Sequence, residues 1–292
     1  MRITFIGFGE VASIFSQSMR EHGAQVASYD LLLDRPQGQE ILQRRVRAEG
    51  IEFGLLPNVV AGAKYVLSTV TTQAATTVAA ACATLLRSGQ VFLDLNSTCP
   101  SVKQQVAKTI APSGADFVEG AILDAVGAAG AAAHILTGGP KAREAAATLC
   151  RLGLNARFYS LDIGPASMFK MLRSIFSKGL EALLLELLIA GKRAGILEDL
   201  WQDVSDFMAR NPFDRVAANW IQTHAVAHQR RYQEMQQVLE TVRELGLDPL
   251  MTAATEAFFE RSTSVGLAQA FPEKPASMHA VIEFLEQRLR AS

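Results

Sequence analysis

The sequence predicts an α/β portion built on a doubly wound, mostly parallel sheet, followed by an all-α portion. Three observations lead there. Short apolar runs alternate with helical stretches up to about residue 160, the pattern of βαβ units. Several of those runs are apolar at nearly every position, as strands are when helices cover both faces of a sheet. Beyond residue 164 the strand signal stops and only long helical stretches remain.

The runs read as strands are 2–7, 24–30, 63–70, 90–96, 115–120, 133–139 and 156–161. Helices are expected between them at 10–22, 74–87, 100–111 and 141–152. The small-residue stretch "GAILDAVGAAGAAAH" (120–134) fits neither pattern and reads as a flexible loop or a poorly patterned helix. Further helices are expected at 165–194, 198–209, 213–243, 249–260 and 276–290, punctuated by Gly195, Gly246 and Pro249. The boundary is placed so that residues 1–163 form one domain and 164–292 the other, with no evident linker or short repeat.

At 292 residues, 49% hydrophobic and 20% charged, the chain has ample material for a core. A formal net charge of −1 argues against nucleic-acid binding. The cluster Arg44, Arg45 and Arg47 reads as a solvated helix face. Cys82, Cys99 and Cys150 are widely spaced. They suggest neither a disulfide framework nor a zinc site and fit a cytoplasmic location. No metal-ligand spacing is evident. The most apolar run, 180–191, carries Glu181 and Glu186 and is too short to cross a membrane.

The stretch "ITFIGFGEVASIF" (3–15) poses the functional question. Gly7 permits a tight strand-to-helix bend, Gly9 lets a pyrophosphate approach the backbone, and Ala12 is small enough for close helix–strand packing. Around them Phe8, Glu10 and Val11 complete the turn and open the helix, whose free N–H groups and positive dipole end suit phosphates. A second strand-like run ends at Asp30, the distance at which a carboxylate binds both ribose hydroxyls. The combination predicts a Rossmann-type dinucleotide site. Asp30 would repel a 2′-phosphate, favouring NAD, while the nearby Arg35 leaves NADP open; Asp30 could instead cap a loop.

Chemistry is expected on the helix beginning "GPASMFKMLRSIFSKG" (164–179). Lys170, Arg173, Ser174, Ser177, Lys178 and Glu181 recur at spacings of three and four, a polar stripe on a helix apolar enough to be buried. This helix starts where the α/β portion ends, so its first turns are expected along an interdomain cleft, where substrates bind. There Lys170 would be a general base, or else one half of an interdomain salt bridge.

The segments "FIGFGEVA", "FLDLNSTCP" (92–100) and "GPASMFKMLRS" (164–174) together resemble the β-hydroxyacid dehydrogenase family, which includes 3-hydroxyisobutyrate and 6-phosphogluconate dehydrogenases. "HAVAHQRRYQEM" (224–235) and "ELGLDPLM" (244–251) resemble a branch of 6-phosphogluconate-dehydrogenase-like NAD(P)-binding oxidoreductases. The resemblance implies that Lys170 is the catalytic acid/base for hydride transfer between a nicotinamide cofactor and a small 3-hydroxy acid, with or without a phosphate. It also implies that Val70, Thr71 and Thr72 pass near the adenosine and nicotinamide ribose, and that Asn96 and Ser97 lie near nicotinamide and substrate.

Departures from the family pattern concern the substrate end. In "EGAILDA" (119–125), which includes Gly120 and Ile122, Leu123 takes the place of the family serine and no glycine pair follows. Arg173 replaces the usual asparagine, with Ser174 beside it, and Gln233 replaces a later lysine. Arg173 could bind an anionic substrate bidentately, and His228 and Arg231, three apart on one helix face, could add a second contact; structural roles are equally open to all three. Asp124 is a weaker candidate. Trp201, Trp220 and the Phe258–Phe259 pair are expected in the core or in a homodimer interface through the helical domain. Two alternatives remain: an imine reductase-like enzyme on the same scaffold, and a nucleotide-binding protein without turnover.

Overall fold

A computed structural model describes residues 1–288. The first unit alternates β1 (Arg2–Ile6), α1 (Glu10–Glu21), β2 (Gln25–Tyr29), α2 (Gly38–Arg45), β3 (Ile51–Phe53), α3 (Leu56–Ala61), β4 (Tyr65–Ser68), α4 (Ala75–Ala83), β5 (Val91–Asp94), α5 (Pro100–Ile110), β6 (Asp116–Ile122), α6 (Val126–Ala129), β7 (His134–Gly138), α7 (Ala142–Arg151) and β8 (Asn155–Ser160). Helices α8 (Pro165–Ala194), α9 (Leu197–Arg210), α10 (Phe213–Glu244), α11 (Leu250–Ser264), α12 (Leu267–Ala270) and α13 (Met278–Arg288) follow.

The eight strands form one sheet in the order β3-β2-β1-β4-β5-β6-β7-β8. Neighbours run parallel except β6 and β7, which pair antiparallel. Strand alternation sends successive side chains to opposite faces. Phe5, Leu67, Leu93 and Val118 thus enter one buried cluster with Phe15 of α1 and Leu149 of α7. Ile6, Val66, Phe92 and Phe117 enter a second cluster with Val59 of α3 and Ile110 of α5. Helices on both faces explain the near-continuous apolar strands. The strand order reverses between β1 and β4, so the crevice beyond their carboxyl ends is the ligand position of this architecture.

Three local expectations change. The short edge strand β3 and helices α2 and α3 occupy a region without a readable period. The 120–134 stretch is neither a loop throughout nor one helix: β6 continues to Ile122, the four-residue α6 follows, and the Leu123 N–H bonds the His134 carbonyl (2.8 Å) as β7 turns back. The chain divides into compact units at Ile175/Phe176, inside α8 rather than at residue 163. The first turns of α8, including Lys170 and Arg173, therefore belong to the α/β unit.

Within the helical unit, α10 packs on α11 and α13, and Ala225, Leu267 and Val281 form a small buried cluster. The Glu186 carboxylate caps α11, accepting the N–H groups of Met251 and Thr252 (both 2.8 Å). Contrary to the expectation of a buried helix, α8 exposes large apolar side chains in the single chain, among them Leu172, Ile175 (71%), Phe176 and Ile189.

Candidate active site

The β1–α1 turn is fixed by sterics. Gly7 has φ +88°, and a Cβ there would lie 2.7 Å from Val70 Cγ1 and 2.8 Å from the Thr69 carbonyl, so only glycine fits. Gly9 is the N-cap of α1, and a Cβ on it would meet nothing within 4 Å. The turn thus leaves open space above unpaired helical N–H groups, as a dinucleotide pyrophosphate requires. Ala12 is wholly buried against the sheet.

Asp30 ends β2 and accepts the Phe8 N–H (2.7 Å) and the Leu32 N–H (2.9 Å). It therefore ties β2 to the glycine turn and caps the following short helical turn. It also lines a cavity of about 440 Å³ with Gly7, Gly9, Val70 and Thr71. The Phe8 side chain is wholly buried, edge-on to Phe53; only its backbone serves the turn. Arg45, read from sequence as part of a solvated face, lines this cavity and donates to the Phe8 carbonyl (3.0 Å).

A second cavity of about 430 Å³ shares Thr69, Val70 and Thr71 with the lining of the first. Its walls bring together Glu10, Val11, Thr72, Asn96, Ser97, Ile122, Asp124 and Lys170. Asn96 Oδ1 accepts the Val70 N–H (2.7 Å), while its amide donates to Ser68 Oγ (2.8 Å), locking the ends of β4 and β5 together. The Lys170 amino group donates to the Ser97 hydroxyl. Burial pushes the Lys170 amine down to about 8, and the Lys103 charge adds to this. An amine so tuned exchanges protons near neutral pH.

Helix α8 is held in register by Glu119, a wholly buried carboxylate on β6. It accepts the N–H groups of Gly164 (2.7 Å) and Ala166 (3.0 Å) and the Ser167 hydroxyl (2.8 Å). A negative charge at a helix N-terminus satisfies orphan donors and the helix dipole together. Lys170 stands three residues beyond Ser167, just past this anchored turn.

The remaining candidates divide. Gly120 is buried; a Cβ there would lie 2.5 Å from Leu95 Cδ2, so it serves close packing and does not line the cavity. Leu123 packs against Ala121, Leu136 and Ala166. Arg173 donates to the Leu123 carbonyl and lies 3.8 Å from Asp124 Oδ1. Asp124 in turn accepts the His134 N–H (2.9 Å) and faces the His134 ring (2.8 Å). These His134 bonds, with a smaller contribution from Arg173, hold the Asp124 carboxyl below its usual range. Ser174 donates back to the Lys170 carbonyl (2.9 Å). In the helical unit His228 is buried, its Nδ1 3.2 Å from the His224 carbonyl, and Arg231 donates to Thr223 (2.7 Å) and the Trp220 carbonyl. Trp220 and Phe258 line an apolar cavity there with His224 and Arg231. Among the described residues no cluster of three or more His, Cys, Asp and Glu could hold a metal, and no helix is long and apolar enough to cross a membrane.

Fold and turn together define a dinucleotide-binding protein of the oxidoreductase type. Residues 2–152 match the NAD binding domain of 6-phosphogluconate dehydrogenase, and the chain belongs to that family. Residues 192–262 match a domain of unknown function, DUF1932. A conserved hypothetical protein from Sinorhizobium meliloti is 32% identical, with 99% of this chain and 96% of that chain covered and a TM-score of 0.60. The conserved protein MTH1747, described as structurally similar to 3-hydroxyacid dehydrogenases, is 30% identical over 94% of this chain and all of its own, also with a TM-score of 0.60. An imine reductase from Streptomyces aurantiacus shares the fold at 16% identity, with a TM-score of 0.77 and coverage of 98% and 99%.

Proposed function

We propose that the protein is an NAD(P)-dependent dehydrogenase acting on a small 3-hydroxy acid, with Lys170 as general acid and base. The observation that carries this reading is the placement of a lysine with a depressed amine value on the wall of a cavity that shares Thr69, Val70 and Thr71 with the cavity at the glycine turn. When bound, a nicotinamide cofactor supplies the hydride acceptor or donor. Gly7 and Gly9, the N-terminus of α1, Asp30, Val70 and Thr71 would hold it. In the oxidising direction the neutral Lys170 amine takes the substrate hydroxyl proton; in the reducing direction its ammonium form returns one. Ser97 fixes the amine's position through their hydrogen bond. Val11, Ile122 and Val126 supply apolar surface among the polar groups of the same cavity.

One feature favours an imine-reducing enzyme as the second reading. Asp124, held ionised, lines the same cavity as Lys170, and a carboxylate there suits a cationic iminium better than a carboxylate substrate. The test is the appearance of reduced-nicotinamide absorbance with NAD and with NADP across a panel of 3-hydroxy acids, phosphorylated sugar acids included. Turnover of any member supports the dehydrogenase. Silence there with consumption of reduced cofactor by cyclic imines supports the second reading.

The exposed apolar side chains of α8, with Trp201 and Trp220 half exposed in the helical unit, support a homodimer formed through that unit. Sedimentation equilibrium at twice the chain mass is the expected result.

A further inference from the structure

A second lysine lies behind the Ser97 turn, and the chemistry above leaves it unused. Lys103, on α5, is wholly buried. Its Nζ donates to the carbonyls of Asp94 (2.8 Å) and Asn96 (2.7 Å) and pairs with Asp94 Oδ1 at 3.2 Å. A buried ammonium needs such partners, and removing it alone would leave the Asp94 carboxylate and two carbonyls buried without theirs. These particular partners matter. Asn96 holds the backbone of Val70, and Ser97 receives the bond from Lys170. Asp94 Oδ1 also accepts the Asn96 N–H (2.9 Å), tightening the same turn. Two amino groups therefore grip one short turn, Lys103 from the core and Lys170 from the cavity.

We propose that Lys103 is a positioning residue for Lys170: it clamps the Asp94–Ser97 turn so that the Ser97 hydroxyl meets the Lys170 amine, and it sets a second positive charge behind that contact. This rests on Lys170 being the proton-transfer group. The charged groups around the pair are Asp94 and Glu119, buried beside Lys103, and Glu10 and Asp124 on the cavity wall. Asp94 Oδ1 is committed to Lys103 and the Asn96 N–H while its Oδ2 is buried without a partner among the described residues, and Glu119 is committed to the start of α8. Burial is the larger cause of the depressed Lys170 value, and the Lys103 charge adds to it by favouring the neutral amine.

The test reads Lys170 directly, without turnover: the pH dependence of its acylation by acetic anhydride, followed by peptide mass spectrometry. In the wild-type protein Lys170 should react with a midpoint near 8, and Lys103 should resist until the chain is unfolded. In Lys103→Met the Lys170 midpoint should rise from about 8 toward the ordinary lysine range, and the pH profile of kcat should move with it. Lys103→Arg should keep the wild-type midpoint. Should Lys103→Met not fold, Lys103→Gln keeps an N–H donor for the two carbonyls, drops the charge, and is expected to show the same rise. An unchanged midpoint in a folded, charge-free variant, or a Lys103 that reacts as readily as Lys170 in the folded wild type, overturns the proposal. Loss of the Lys170 role itself would show differently, as undiminished turnover in Lys170→Ala.

Discussion

The sharpest prediction concerns pH. An ordinary lysine titrates at 10.5, whereas Lys170 is pushed down to about 8. At pH 7 about one Lys170 in ten is then neutral, against about one in 3,000 for an unperturbed lysine, a gain of roughly 300-fold in competent base. Oxidation needs the neutral amine, so kcat/KM in that direction should climb about tenfold per pH unit below 8 and level off above it. Reduction needs the ammonium form and should fall above the same value. Stopped-flow absorbance of the reduced nicotinamide, recorded in both directions from pH 6 to pH 10, measures this. Lys170→Ala should lose about 10²- to 10⁴-fold in hydride transfer together with the titration. Cofactor binding should persist. A Lys170→Ala enzyme with the same limb near pH 8 would refute the assignment.

Other consequences follow from the same geometry. Gly7→Ala forces an L-residue to φ +88° with its Cβ against Val70 and Thr69, at a cost on the order of 1–3 kcal/mol; thermal melting should show it. Asp30→Ala should loosen the glycine turn and weaken NADH more than NADPH, checked by paired titrations. Glu119→Gln removes a buried charge from the start of α8 and should destabilise the first unit by about 2 kcal/mol in urea unfolding. His224 in the helical unit is pushed down to about 4, chiefly by burial and secondarily by His228 and Arg231. The folded state therefore holds it neutral while the unfolded chain protonates near 6.5. Stability should be full above that value and fall as pH drops from 6.5 toward 4, a decline that His224→Phe should blunt.

What the sequence revealed follows the range of each interaction. The β1–α1 turn was legible because its glycines act on their own backbone, and α8 was legible because its period runs for thirty residues. Lys170 stood out as a cation on an apolar helix. The partners that position it were not legible. Lys103 reads locally as one more solvated helical lysine, and only the packing of α5 on the sheet buries it. Glu119 looks like a strand residue until β6 is placed beside the start of α8. Arg45 becomes a cavity residue only when α2 folds back over the glycine turn. Arg173 stayed open between a substrate contact and a structural one because its bond to the Leu123 carbonyl spans fifty residues. The exposed face of α8 has the same origin: periodicity shows that a helix is apolar, and not what covers it.

Calorimetric titration with NADH of the wild-type protein and of Gly9→Val tests the central claim most directly. A Cβ at Gly9 meets no protein atom within 4 Å, so the variant should fold, losing about 1 kcal/mol for valine at the N-cap, and its new methyl groups enter the space above the α1 N-terminus. Saturable NADH binding by the wild type and its loss in a folded Gly9→Val is the expected result. Binding that survives the substitution unchanged, or is absent from the wild type, would contradict the placement of the dinucleotide at this turn.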